Sequence, residues 1–380
     1  MKTKLEFILF MLLIFCAASQ QLVAERYYNK AYGYYCDIPQ NWEILEGVDP
    51  SRVSFTDPQH VGVFQIVMFP GSSYESAEEM YFTIKAQLKA EGDEAPFDYM
   101  GKDALFSDLT FNPGNFQARG YFIFINGEEL DMALMTFTPV KFYEQMHDFL
   151  LSAMNSFSPD EESRYYPGPV SQFYYPFPGQ NGKAVSIDFE GEKLNTEVDK
   201  GEIEASQVII ELEARVLKSY EKDKKREEAW KRYYRMILRD NYHRLDNISN
   251  LLKREVGLGE LKKRDIAVNL LTWIQGFEYL RTGTLSYLLS PFASVVQSSG
   301  DCDSRGLLYI ILLHHFDIDS ILMVSSRYGH SLVGVDIAGE GAHYSYGGKK
   351  WLVAEVTDNV DIGLIPKEMA DPSGWIPVSF

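Results

Sequence analysis

The pattern of apolar and polar positions changes period several times along the 380 residues. Residues 61–69 form an almost unbroken apolar run closed by Pro70-Gly71, the pattern of a buried strand. Residues 76–90 instead carry Met80, Ile84 and Leu88 at four-residue spacing behind Ser76, which predicts a helix with Ser76 as N-cap. Apolar runs at 121–125 and 132–137 flank Asn126-Gly127, a hairpin turn signal. A further helix is predicted over 140–154, and residues 34–42 read as a strand broken at Pro39. Residues 25–158 are therefore expected to form a small α+β sandwich.

Pro159, Pro167, Pro169, Pro176 and Pro178 then interrupt regular structure, and residues 159–183 read as a linker. Its many Tyr and Phe side chains predict that it lies along a domain surface rather than free in water. Over 184–262 a helical period takes over. Val208, Ile209, Leu212, Val216 and Leu217 keep one apolar face, and Trp230 to Leu252 keep another across several turns. The mixed-charge run 221–228 between them reads as a solvated helix surface. Residues 263–380 form the last part. An apolar helix is expected over 266–279, and an irregular stretch follows to Ser299. Then Gly300-Asp301-Cys302-Asp303-Ser304-Arg305-Gly306 opens a second, nearly continuous apolar helix. Alternating runs beginning at His330 and Trp351 predict two neighbouring antiparallel strands. The fold class is α+β, with a helix packed on an antiparallel sheet in the last part.

Composition narrows the function classes. The chain is 46% hydrophobic and 24% charged, which excludes a disordered or collagen-like protein. A net charge of −18 gives no field to draw phosphate backbones, so nucleic acid is not an expected partner. Three cysteines are too few for a disulfide scaffold or a four-thiolate zinc site.

The first residues read as an address. Lys2 and Lys4 precede an apolar run over 7–18, followed by Ser19-Gln20-Gln21-Leu22-Val23-Ala24, the order of a cleavable secretory leader. Its apolar run is too short for a permanent membrane span. Cleavage is expected after Ala24, with Ala18 the alternative, giving a secreted or periplasmic protein. Cys16 raises a lipoprotein reading, against which Phe15 is bulky for lipoprotein processing. Cleavage leaves Cys36 and Cys302, which could form a bridge in an oxidising compartment.

The surroundings of Cys302 suggest another use. Asp301 is a good N-cap, so Cys302 falls in a first helical turn, where orphan N–H groups and the positive helix end favour a thiolate. His330 starts one predicted strand and Glu355 lies on the next, so a base and an orienting acid can stand side by side. Asp358 is a rival for the acid, but 355 and 357 share a face from which 358 points away. Gln275 can donate to an oxyanion or serve in packing and capping. Asp303 reads as structural. His314, His315 and His343 add ligand types without metal-site spacing, so no metal and no cofactor are expected.

Five pieces in order carry a resemblance: Trp273-Ile274-Gln275, Gly300-Asp301-Cys302-Asp303, Gly329-His330-Ser331-Leu332-Val333-Gly334-Val335, Ala354-Glu355-Val356-Thr357 and Ile362-Gly363-Leu364-Ile365-Pro366. They resemble the transglutaminase-like superfamily of papain-like cysteine enzymes, over about a quarter of the chain. The resemblance implies a cysteine that attacks an amide or acyl carbonyl, a histidine that relays the proton and an acid that orients it: Cys302, His330 and Glu355. Here Glu stands where the family more often has Asp, and Leu332 where many relatives carry an aromatic. More weakly, Asp37-Ile38-Pro39-Gln40-Asn41-Trp42 with Val53-Ser54-Phe55-Thr56-Asp57-Pro58 resembles exported PsbP-like domains. Two functions stand. One is an exported cysteine enzyme acting on a peptide or protein substrate by hydrolysis or acyl transfer. The other is an idle fold of the same kind that binds an extracytoplasmic partner.

Overall fold

The computed structural model describes residues 22–23, 26–45 and 49–380. The leader read over 1–24 lies outside them except for Leu22 and Val23. The fold is α+β. Two compact units divide the chain, Met1–Arg164 with Gly168–Phe177, and Tyr165–Pro167 with Pro178–Phe380.

The first unit is built on an eight-stranded sheet. Across it run Leu22–Val23, Glu43–Ile44, Arg52–Thr56, Val63–Pro70, Leu130–Pro139, Ala118–Ile125, Lys102–Phe111 and Glu91–Tyr99, every neighbour antiparallel. The central strands read as unbroken apolar runs because a helix covers each face. Phe122, Phe124, Ala133 and Met135 pack against Met80 and Ile84 of the Ala77–Leu88 helix. Ser76 caps that helix, accepting from Glu79 N–H at 3.1 Å. The alternate residue Tyr121 meets Tyr143 of the Tyr143–Asn155 helix on the other face, hydroxyl to hydroxyl at 2.5 Å. The Pro-rich stretch carries a short helix, Pro169–Tyr174, whose Val170, Ser171 and Gln172 are buried in this unit. Gln172 there accepts from Met100 N–H at 3.1 Å.

In the second unit, residues 184–262 and 263–380 share one apolar core. The hairpin of Lys183–Phe189 with Glu192–Val198 precedes the helices Lys200–Ser219, Arg226–Asn241 and Asp246–Arg254. A five-stranded antiparallel sheet follows in the order His343–Tyr346, Lys349–Ala354, His330–Val335, Ser320–Ser325, Ile376–Val378. The Cys302–His315 helix packs on His330–Val335 and Ser320–Ser325 and is enclosed by other helices. Every residue from Leu307 to Leu313 is therefore buried, which explains an apolar run without a polar face. The helix expected over 266–279 runs instead as Lys263–Gln275. Gly276 ends it, donating to Trp273 O, and Glu278–Tyr279 becomes a short strand parallel to Ser299–Gly300. No helix among the described residues is long and apolar enough to cross a membrane.

Candidate active site

Three segments distant in sequence meet at one end of the five-stranded sheet. The first is the helix start. Gly300 has φ near 152°, and a Cβ there would lie 2.8 Å from that of Ser304, so glycine is needed for the chain to turn into the helix. Asp301 follows as N-cap, its Oδ1 accepting from the Ser304 N–H at 2.9 Å and from its hydroxyl at 2.8 Å. Cys302 thus opens the first turn and is 4% exposed. It lies one turn before Gly306, on the stripe that faces the sheet. A Cβ on Gly306 would stand 3.0 Å from Leu322, so the helix runs close over the strands. Burial, and then the charge of Asp303, push Asp301 up to about 6 against the opposing Ser304 bonds and Arg281.

The second and third segments are the start of His330–Val335 and the chain just past Lys349–Ala354. Their register pairs Val333 with Ala354. Continued along the strands, it sets Thr357 opposite His330 and Glu355 on the diagonal, within reach of a long side chain. His330 Nε2 lies 2.6 Å from Glu355 Oε2. Glu355 Oε1 accepts from the Thr357 N–H at 2.7 Å and its hydroxyl at 2.6 Å. Asp358 is exposed and has no part in this contact.

Electrostatics follow from these contacts. Burial alone would push His330 down, but hydrogen bonds with Cys302 and Glu355 and the charges of both raise it to about 10. With Nε2 given to the carboxylate, Nδ1 is the ring edge left for the thiol. Burial alone would push Glu355 up. The bond and charge of His330, with the two Thr357 donors, hold it below the usual carboxylate range instead. The geometry can therefore keep an imidazolium beside the Cys302 sulfur at neutral pH.

Gln275 is buried beside this group, but its Nε2 donates to Glu355 O at 2.8 Å and to Val360 O at 2.9 Å. Both amide protons are engaged with backbone, which gives Gln275 a bracing place behind the acid. Asp303 is anchored by the Tyr234 hydroxyl at 2.8 Å, and its other oxygen lies 3.8 Å from Cys302 Sγ. Cys36 and Cys302 are both buried and are not bridged to each other. Among the described residues no group of three or more His, Cys, Asp or Glu side chains could hold a metal. His314 and His315 are turned to the carbonyls of Ser320 and Tyr242.

Two residues that the sequence reading did not single out belong here. Arg305 is 1% exposed and donates to Gly300 O at 2.8 Å, Phe277 O at 2.6 Å and Val356 O at 3.5 Å. It ties together the turn before Cys302, the end of the Lys263–Gln275 helix and the residue after Glu355. A charged residue at the head of an otherwise apolar helix is the signal that points to it. Tyr279 is the other. It pairs with Gly300 in the short parallel sheet, and the guanidinium carbons of Arg281 and Arg305 each lie 5.9 Å from its ring centre.

No family model and no curated protein matches the chain. Among solved structures, it is similar to the solution structure of cyanobacterial PsbP (CyanoP) from Synechocystis sp. PCC 6803. The identity is 14% over 38% of this chain and 96% of that one, with a TM-score of 0.30. It is also similar to a crystal structure from Bacteroides thetaiotaomicron VPI-5482, at 11% identity over 57% of this chain and 76% of that one, with a TM-score of 0.26.

Proposed function

We propose that the second unit is a transglutaminase-like cysteine enzyme that opens amide bonds of a peptide or protein substrate through a thioester. The observation that carries this reading is the 2.6 Å contact of His330 with Glu355 on one ring nitrogen, at the place where Cys302 opens its helix and acts on the same ring. In the first step Cys302 Sγ bonds to the carbonyl carbon, and the developing oxyanion is met by orphan N–H groups of the first helical turn. The C–N bond then breaks, and the His330 imidazolium gives its proton to the departing amine. In the second step water or an amine attacks the thioester, His330 takes the proton of the attacking group, and the C–S bond breaks as Cys302 leaves as the thiolate. Glu355 fixes the ring and balances its charge throughout. The leader read over 1–24 puts this chemistry outside the cytoplasm.

A second reading is a catalytically idle fold that binds an extracytoplasmic partner, favoured by the 4% exposure of Cys302. Alkylation by iodoacetamide separates the two. A nucleophile primed by His330 reacts fast at pH 6–7, and His330→Ala slows it at least tenfold. Equal rates in the two proteins would favour the idle fold.

A further inference from the structure

We propose that an extended peptide adds as a third strand to the open edge of Glu278–Tyr279, with an acidic side chain set against Arg281. This rests on the cysteine-enzyme reading and names how its substrate is held.

The short parallel sheet has two strands. Glu278 N–H donates to Ser298 O at 2.9 Å and Leu280 N–H to Gly300 O at 3.3 Å. In a strand, alternate residues turn their backbone groups to opposite edges. The N–H and C=O of Tyr279 therefore face away from Ser299–Gly300, and neither has a partner among the described residues. Tyr279 is 52% exposed, so this strand lies at the surface. Such an edge is a template for another strand.

Its place says which strand. Gly300, the partner of Tyr279 on the closed side, lies two residues before Cys302. The charge of Cys302 also acts on both Tyr279 and Arg281. The edge therefore lies beside the turn that leads through Asp301 into Cys302. Its charge preference comes from Arg281, whose side chain is 53% exposed. The carboxylate paired with Arg281 is Asp301, 4.0 Å away and only 6% exposed, which leaves the outer side of the guanidinium to an incoming acid. Leu280, Leu285 and Tyr287 in the same excursion are also exposed and give the peptide an apolar flank.

The test uses the full chain and acetyl-Asp-Ala-Ala chloromethyl ketone, which alkylates a thiol with loss of chloride. Each peptide N–H is methylated in turn, and a Lys-Ala-Ala counterpart reverses the charge. Strand addition predicts that methylating one particular amide slows alkylation of Cys302 at least tenfold while its neighbours have little effect, because only alternate amides face the edge. It also predicts that the acidic probe outpaces the lysine probe at least tenfold, and that Arg281→Glu reverses this order. No effect of methylation at any amide, or the same effect at all of them, overturns strand addition. An unchanged charge preference in Arg281→Glu overturns the role of Arg281. Amide selectivity that survives while iodoacetamide reacts equally with wild type and His330→Ala would uphold the docking edge and defeat the enzyme reading instead.

Discussion

His330 and Glu355 meet at 2.6 Å with 15% and 2% of their side chains exposed, so this ion pair forms almost out of water. In such surroundings each charge is tolerable only because of the other. The second carboxylate oxygen is already occupied by Thr357, so Glu355 cannot turn to solvent without giving up three contacts. The pair is therefore a fixed element to which Cys302 is added.

The raised His330 fixes the pH dependence of stability. Its folded value of about 10 lies above the unfolded value of about 6.5, so its contribution is complete below pH 6.5. It is lost as pH rises through 10, with a slope of up to about 1.4 kcal/mol per pH unit in between. Glu355 is depressed, so its contribution holds above its unfolded value and disappears on acidification through its folded one. Urea midpoints between pH 6 and 9.5 should fall with pH in the wild type and flatten in His330→Ala. Parallel slopes in the two proteins would show that His330 does not carry the effect.

Glu355→Gln keeps the shape and removes the counter-charge. The imidazolium then loses one of the two partners that raise it, and the ring should titrate closer to about 6.5. Iodoacetamide should react with Cys302 at least tenfold more slowly at pH 7, while the folded spectrum is retained. An NMR titration of the His330 ring reads the shift directly, and an unmoved midpoint would remove the carboxylate from the mechanism.

Arg305→Met tests the tie beneath the site. The substitution leaves the carbonyls of Phe277 and Val356 without the guanidinium and Gly300 O with only the Leu280 N–H, and should cost about 3 kcal/mol in denaturant unfolding. Arg305→Lys keeps the charge but not the planar fork, and should recover only part of the loss. A loss under about 1 kcal/mol in the Met variant would mean that solvent or a neighbour replaces the guanidinium.

What was legible in the sequence depended on local signals. Cys302 announced itself through an N-cap and a following apolar run, and His330 and Glu355 through the alternation of two strands. The contacts of Arg305 were not legible, because its partners are backbone carbonyls at 277 and 356, which leave no trace in side-chain pattern. Tyr279 was obscured for a related reason. The apolar period runs on past Gly276, where the helix stops, and a two-residue strand is too short to have a period of its own. In the first unit, Glu91–Tyr99 is the sheet's last strand and carries a weak apolar signal. Its exposed Glu, Asp and Pro residues protect an edge and leave only Ala95, Phe97 and Tyr99 to turn inward.

Gln275 separates bracing from chemistry. Its two amide protons hold the carbonyls of Glu355 and Val360 and so fix the backbone from which the acid projects. Truncation to Ala should leave one buried and one half-buried acceptor without this donor, lowering stability by about 1–3 kcal/mol. A loosened Glu355 should then slow iodoacetamide and weaken a peptide aldehyde, whose tetrahedral adduct mimics the reacting carbonyl, by similar factors. An oxyanion donor would behave differently, because iodoacetamide forms no oxyanion. Its loss would weaken the aldehyde alone and leave the unfolding midpoint and the alkylation rate in place. The bonds that Gln275 already makes predict the first pattern, and measuring the three quantities on Gln275→Ala decides between them.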